Sequence, residues 1–330
     1  MKKFIKRNSR ELSIVIAIAI MGVVFGIKEP IYLSADNMKD IFEQSIIYGL
    51  MALGMTAVII SGGIDLSVGS ALALICVLIS KAAVGGMSPI IAIFLALIIS
   101  ITLGLFNGLL VSNLKLQPFI ATLGTMSVYR GLAYLLSDGY PVLNVPIGYR
   151  GLINGDFLNI IDTSTILFIA FAFFMYVIMS KLKLGTYIYA IGGNEEAARL
   201  SGIKISSVKV KIYAIAMIGT GIAAMIQVAR LGTGDPTTGQ GYELNAIAAI
   251  AIGGTSMAGG RGTIIGTLLG AILFAGLRNG LIVSNVATFW QYVATGVVII
   301  IAAYIEVIQD NFTKIFKKKG LSDTQGVAGL

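Results

Sequence analysis

The feature that most constrains this chain is the length of its apolar runs. "LSIVIAIAIMGVVFGI" (12–27) and "IIAIFLALIISITLGLFNGLLVS" (90–112) contain no charged residue at all. A helix needs about 20 mostly apolar residues to cross the hydrocarbon layer, with a range of about 17 to 25. Runs that meet or approach this length fall at 12–27, 41–60, 67–84, 90–112, 118–137, 164–182, 209–230, 242–258, 263–283 and 288–306. Only 12% of the chain is charged and 56% is apolar. A soluble domain carries about 25% charged residues, so this chain has too few to cover a water-facing surface. The expected fold class is all-α, a polytopic membrane protein with about ten transmembrane helices. A transmembrane β-barrel would alternate apolar and polar positions, and these runs are continuous. The glycine and polar content of 67–84, 118–137 and 242–258 predicts broken or partly submerged helices, tolerated where protein surrounds them.

Orientation follows from the cations. With ten spans and the N-terminus inside, 17 of the 24 Lys and Arg fall on the cytoplasmic side, including the N-terminal "MKKFIKRNSR" and the C-terminal Lys317–Lys319. An odd number of spans would expose one terminal basic cluster outside, so both termini are expected to be cytoplasmic. The net charge of +8 is explained the same way and requires no nucleic acid. The basic N-terminus followed by an apolar run resembles a signal peptide. No small-residue cleavage site follows it, so 12–27 is expected to be a retained span. Residues 1–310 then form a single transmembrane domain and 311–330 a cytoplasmic tail. Segment 138–163 is external, and 184–208 is the largest cytoplasmic loop. Cys76 stands alone in an apolar run, and the chain has no histidine, which removes the commonest general base and metal ligand. No metal site, and no cofactor held by this chain, is expected.

The cytoplasmic loop contains "NEEAARLSGI". Asn194 is a good N-cap, and Glu195 and Glu196 in the first turn favour the helix dipole. Ala197, Ala198 and Arg199 are helix formers, and Gly202 suits the position just past the end, with positive φ. Such a helix is either an ordinary loop helix packed on its own protein or a docking element for a cytoplasmic partner. At the inner turn "GGIDLSVGS", Gly62 and Gly63 permit the reversal, and Asp65 or Ser67 can cap the next helix. The same four residues are candidates for an inner gate. "IGGTSMAGGRG" (252–262) looks faintly like this turn. "GGRGTIIG" (259–266) lacks the preceding strand and the Lys-Ser/Thr of a phosphate loop. The pairs Gly104/Gly108 and Gly266/Gly270 read as helix-packing faces. Asn107, Gln227 and Asn245 are polar and intramembrane. They either bond between helices or line a path for a hydroxylated solute. Arg130 and Arg278 are expected to pair internally or to reach the membrane surface.

Four long stretches carry a resemblance. They are "GMTAVIISGGIDLSVGSALAL" (54–74), "NGLLVSNLKLQPFIATLGTMSVYRGLAYLLSDGYPV" (107–142), "LGTYIYAIGGNEEAARLSGI" (184–203) and "PTTGQGYELNAIAAIAIGGTSMAGGRGTIIGTLLGA" (236–271). In this order they resemble the permease subunits of ribose-type sugar ATP-binding cassette (ABC) importers, over most of 40–305. "EAARLSG" also fits the EAA–xxx–G signature of the inner loop in ABC permeases. The resemblance implies that Asn194, Glu195, Glu196, Ala197, Ala198, Arg199 and Gly202 form the coupling helix that seats in an ATP-hydrolysing subunit. It implies a monosaccharide cargo, ribose or a related sugar, moved by alternating access in the bacterial cytoplasmic membrane. It further implies a second permease subunit, in a homodimer, and ATP and Mg bound by the ATPase partner. An extracytoplasmic sugar-binding protein would dock on the outer loop, with Arg150 and Asp156 as candidates. One departure is visible: family members carry an acid where this chain has Asn245, so no charge-based role is assigned there. The rival from another class is a secondary transporter or channel without ATPases, which would place ionisable groups at mid-membrane for ion coupling. An intramembrane enzyme is disfavoured, because no Ser/His pair or other catalytic set is present.

Overall fold

The computed structural model describes residues 9–157, 161–301 and 304. The tail 311–330 and the extreme N-terminus lie outside these residues. Helix α1 (Ser9–Lys28) leads through a short 3-10 turn (Pro30–Leu33) into α2 (Ala35–Ile60), where Ser34 Oγ accepts from the backbone N–H of Asn37. Helix α2 is the axis of the core: every residue from Ser45 to Ile60 is buried. Then come α3 (Val68–Val84), α4 (Pro89–Ser112) and α5 (Pro118–Leu136). Helices α4 and α5 each begin with proline, whose missing N–H costs nothing at the first helical position.

The outer segment holds α6 (Ile147–Asn154) and a two-stranded antiparallel pair, β1 (Asp156–Phe157) with β2 (Ile161–Asp162). Helix α7 (Thr163–Lys181) returns, and α8 (Lys183–Gly193) and α9 (Glu195–Leu200) follow. The chain then runs through α10 (Ile205–Leu231), α11 (Tyr242–Ile252), α12 (Ile264–Val283) and α13 (Thr288–Ile301).

Among the described residues, seven helices are long and apolar enough to cross a membrane: α1, α2, α4, α5, α7, α10 and α12. Three shorter apolar helices, α3, α11 and α13, stand where hydropathy placed the remaining runs. Runs 67–84 and 118–137, expected to be broken, are continuous helices. Run 242–258 is helical only over Tyr242–Ile252.

Small residues set the packing. Helix α10 lies between α2 and α4. A Cβ added at Gly104 would stand 2.5 Å from the Tyr213 carbonyl oxygen, and one at Gly108 2.7 Å from Val210 Cα. The Gly104/Gly108 face is therefore a backbone-to-backbone contact with α10, as the spacing predicted. Gly266 and Gly270 do the same for α12 against Gly253 and Ala249. The outward faces of α1, α4 and α7 expose Val24, Phe94, Ile98 and Phe173. In lipid such surface carries no penalty.

Helix α11 is preceded by non-helical chain, 232–241, that runs alongside α3. Gly234 pairs with Val142 and abuts the Cys76 carbonyl, while Gly239 abuts Gly69 at the start of α3. Arg130 of α5 donates through Nη1 to the carbonyls of Pro236 (2.5 Å) and Thr238 (2.8 Å). These bonds satisfy carbonyls that a helix would have satisfied internally, which is what makes unwound backbone tolerable at membrane depth.

Candidate functional site

Helix α9 has only six residues, yet both its ends are closed. Asn194 Oδ1 accepts from Ala197 N at 2.9 Å. Gly202 follows the end with φ +83°, and Ile203 N bonds back to Ala198 O. The expected N-cap and terminating glycine are thus both in place. Ala198 is buried, while Asn194, Glu195, Glu196, Ala197 and Arg199 face outward. The helix spends its own charges. Arg199 forks onto Glu196, with Nε and Nη2 at 3.0 and 2.5 Å from the two carboxylate oxygens. Lys209 of α10 reaches Glu195 at 2.7 Å. The hydrogen bonds from Arg199 hold the Glu196 carboxyl below the usual carboxylate range.

The loop leading into α9 is clamped. Three Gly-Gly pairs, 62–63, 192–193 and 259–260, come together at the end of α2. Gly260 N donates to the Ile60 carbonyl at 2.8 Å. Gly192 is pressed on the same carbonyl: an added Cβ would stand 1.7 Å from Ile60 O and 2.5 Å from Gly260 N. Gly259 lies against Gly62 N, and Tyr189 donates from its hydroxyl to Gly262 O at 2.8 Å. The two turns that look alike in the sequence therefore meet in space. The third pair, on α8, locks them to the segment that carries α9.

Beyond the clasp, the turn after α2 is bolted inward. Asp65 is fully enclosed. Its Oδ1 accepts from Ser67 N (2.9 Å) and Ser67 Oγ (2.7 Å), and its Oδ2 from Asn107 Nδ2 (3.2 Å). Asn107 Nδ2 also donates to Ser67 Oγ, and Asn107 Oδ1 accepts from the Tyr129 hydroxyl. Thr122 and Tyr213 donate to the neighbouring Ile64 carbonyl. One turn is thereby tied to α4, α5 and α10. Ser67 gives α3 no side-chain cap. Asn107 is enclosed between helices, its amide spent in this network, rather than standing on an open path. The sequence offered Asp65 and Asn107 separately, and nothing in their spacing of 42 residues joined them.

The other polar candidates lie elsewhere. Asn245 is buried on α11, the helix whose Tyr242 packs against Tyr48 of α2. Arg278 of α12 bonds the Tyr48 hydroxyl and lies 5.7 Å from the centroid of its ring, while Tyr48 and Tyr242 pack edge to face at 5.2 Å. Arg278 is thus paired internally, as is Arg130. Sequence reasoning missed Tyr48 and Tyr242, because a tyrosine in an apolar run carries no signal of its partner. Gln227 is half-buried on α10 and joins neither cluster. Arg150 on α6 donates through Nε to Ala229 O at 3.2 Å, and Asp156 lies in β1.

Helix α9 is thus capped at both ends and its leading loop is clamped against the end of α2. Residues 37–303 match the family described as the branched-chain amino acid transport system / permease component. The chain belongs to this permease family. It is 43% identical over 289 residues to the ribose import permease protein RbsC of Bacillus subtilis (strain 168), covering 87% of this chain and 89% of that one. It is 37% identical over 309 residues to RbsC of Escherichia coli (strain K12), covering 92% and 95%. The D-allose transport system permease protein AlsC of Escherichia coli (strain K12) is 34% identical over 291 residues, covering 88% and 89%. No solved structure matches. The permease is a multi-pass integral membrane protein, and its apolar outer face is the lipid-contacting surface of that class.

Proposed function

We propose that the permease is the membrane-spanning subunit of an ABC importer for a monosaccharide, ribose or a related sugar. The observation that carries this reading is its identity with ribose import permeases along nearly the full length of both chains. The geometry at α9 supports it. A closed helix, backed by backbone-to-backbone contacts at Gly192, Ile60 and Gly260, can pass a push to the ends of α2, α8 and α12 without deforming.

In this reading two copies of the permease pair, and two ATPase domains receive α9 of each copy. ATP and Mg are held by those partners, and the permease itself binds no cofactor. The chain makes ten crossings in the bacterial cytoplasmic membrane, with both termini and α9 on the cytoplasmic side. A loaded sugar-binding protein docks outside, at the segment containing Arg150 and Asp156. ATP binding closes the ATPases, α9 moves, and the path changes the face to which it is open. The sugar meets a weak, transient site, because a tight one would retain it.

The test is reconstitution. The permease, its ATPase and its sugar-binding protein are placed in proteoliposomes and uptake of labelled ribose is followed. Uptake should require ATP on the α9 side and binding protein on the other. Uptake by the permease alone, driven by an ion gradient, would identify a secondary transporter and overturn the proposal.

A further inference from the structure

Beside α9 lies a cavity of about 450 Å³ whose lining includes Lys183, Lys204, Lys211, Tyr187, Ser207 and Val208. The only carboxylates on this segment, Glu195 and Glu196, are taken by Lys209 and Arg199. Among the described residues, no carboxylate lies within ion-pair distance of Lys183, Lys204 or Lys211. Three like charges around one space repel, and an anion in that space relieves all of them at once.

Two further observations fit the same occupant. Helix α10 begins at the cavity, and Lys204 at its N-cap supplies no side-chain acceptor, so the first-turn N–H groups are left for a ligand or water. Tyr187 and Ser207, each carrying a hydroxyl that can donate, are among the lining residues. The cavity also sits where two candidate spans end, α7 at Lys181 and α10 at Ile205. Span ends of this length and composition fall where lipid headgroups begin.

We propose that this cavity binds a phosphate-bearing anion, through Lys183, Lys204 and Lys211, and that its occupancy sets how firmly the adjoining α9 is held. A headgroup of an anionic lipid and free phosphate from the aqueous side share this chemistry. The effect on α9 would tune the importer proposed above and rests on that reading, but binding itself can be measured on the permease alone.

The experiment uses the full-length permease in nanodiscs, with Cys76 replaced and an environment-sensitive fluorophore on Ser201→Cys. One arm compares discs of phosphatidylcholine alone with discs containing phosphatidylglycerol. The other titrates inorganic phosphate into phosphatidylcholine discs. The fluorophore should respond in at least one arm, and the responding arm names the source. The triple variant Lys183→Gln, Lys204→Gln, Lys211→Gln should weaken that response by at least about tenfold, given the roughly tenfold-or-less contribution of each lysine near an anionic surface. Lys204→Gln alone should give an intermediate loss, which guards against a misfolded triple variant. Lys209→Gln, whose charge is already spent on Glu195, should leave the affinity near parental. No response in either arm, or a loss in Lys209→Gln as large as in the triple variant, would overturn the proposal. Uptake in the reconstituted importer is scored separately, so failure of the site and failure of the importer reading are distinguishable.

Discussion

Two glycines of the α9 segment are required for opposite reasons. Gly202 has φ +83° and open space around it, so only its backbone conformation forbids a side chain. Gly192 has ordinary φ, but its Cβ would overlap the Ile60 carbonyl. The left-handed conformation costs an L-residue about 1–2 kcal/mol, least for asparagine. Gly202→Asn should therefore transport at close to the parental rate and Gly202→Val markedly less, with both expressed in the membrane at parental levels. Gly192→Ala should lose more transport than Gly202→Val, about tenfold or beyond, because backbone rather than a side chain must move. Equal uptake by Gly192→Ala and the parent would show that the clasp transmits nothing. Asp65 makes a third case. Asp65→Leu strands the donors of Ser67 and Asn107 in an enclosed site, and each stranded donor costs about 1–3 kcal/mol. The detergent-solubilised variant should unfold several degrees below the parent, followed by thermal scanning fluorescence, and Asp65→Asn should recover part of the loss. Of these three residues the sequence marked Gly202 and Asp65. It could not mark Gly192, because the obstacle is a carbonyl 132 residues away in the chain.

At the scale of elements, α9 was readable because its signals are local. Asn194, the two glutamates and Gly202 lie within one short stretch, and capping acts over three or four residues. Helix α8 was not anticipated as a helix inside the cytoplasmic loop, although Gly185, Ile188 and Ile191, which it buries, fall at helical spacing. Its polar flanks and two glycines masked that stripe. Arg199, which the resemblance assigns to the coupling helix, is already forked onto Glu196. Arg199→Glu therefore does two things: it breaks that fork and sets two like charges one turn apart. Co-purification of the ATPase should fall severalfold, and Arg199→Lys, which keeps charge but loses the fork, should fall less. The pH dependence has a definite sign. The Glu196 carboxyl is held below its ordinary range by Arg199, so the pairing is complete above that range and is lost only as pH falls through the lowered value. With no histidine in the chain, ATPase co-purification should stay flat from about pH 6 to 8 and decline only in stronger acid. A transition near neutrality would point to a titrating group on the partner.

At the scale of the whole molecule, hydropathy located every described helix that is long enough to span, because each is a continuous apolar run bounded by a cap, a proline or a cation. Of the three runs whose glycines and polar residues marked them as broken or partly submerged, 242–258 alone stops short: its helix ends at Ile252, where Gly253, Gly254, Thr255 and Ser256 follow. The topology is open to a direct check. With Cys76 replaced, a thiol at position 201 should be labelled by impermeant reagents only from the cytoplasmic side, and one at 144 only from outside. The reverse pattern at either site would invert the proposed orientation. The half-length helix also bears on biogenesis. Eleven residues of α11 rise about 16 Å, roughly half the hydrocarbon thickness. Such a segment is too short to be released into lipid by the insertion machinery on its own. It has to be drawn in once α10 and α12 are both threaded, as the last strand of a hairpin whose arms are already anchored. Arg130, which holds Pro236 and Thr238 alongside α3, is placed to serve as the latch of that step. Nascent chains truncated before α12 should leave Tyr242–Ile252 accessible to protease from the outer side, and extension through Val283 should protect it.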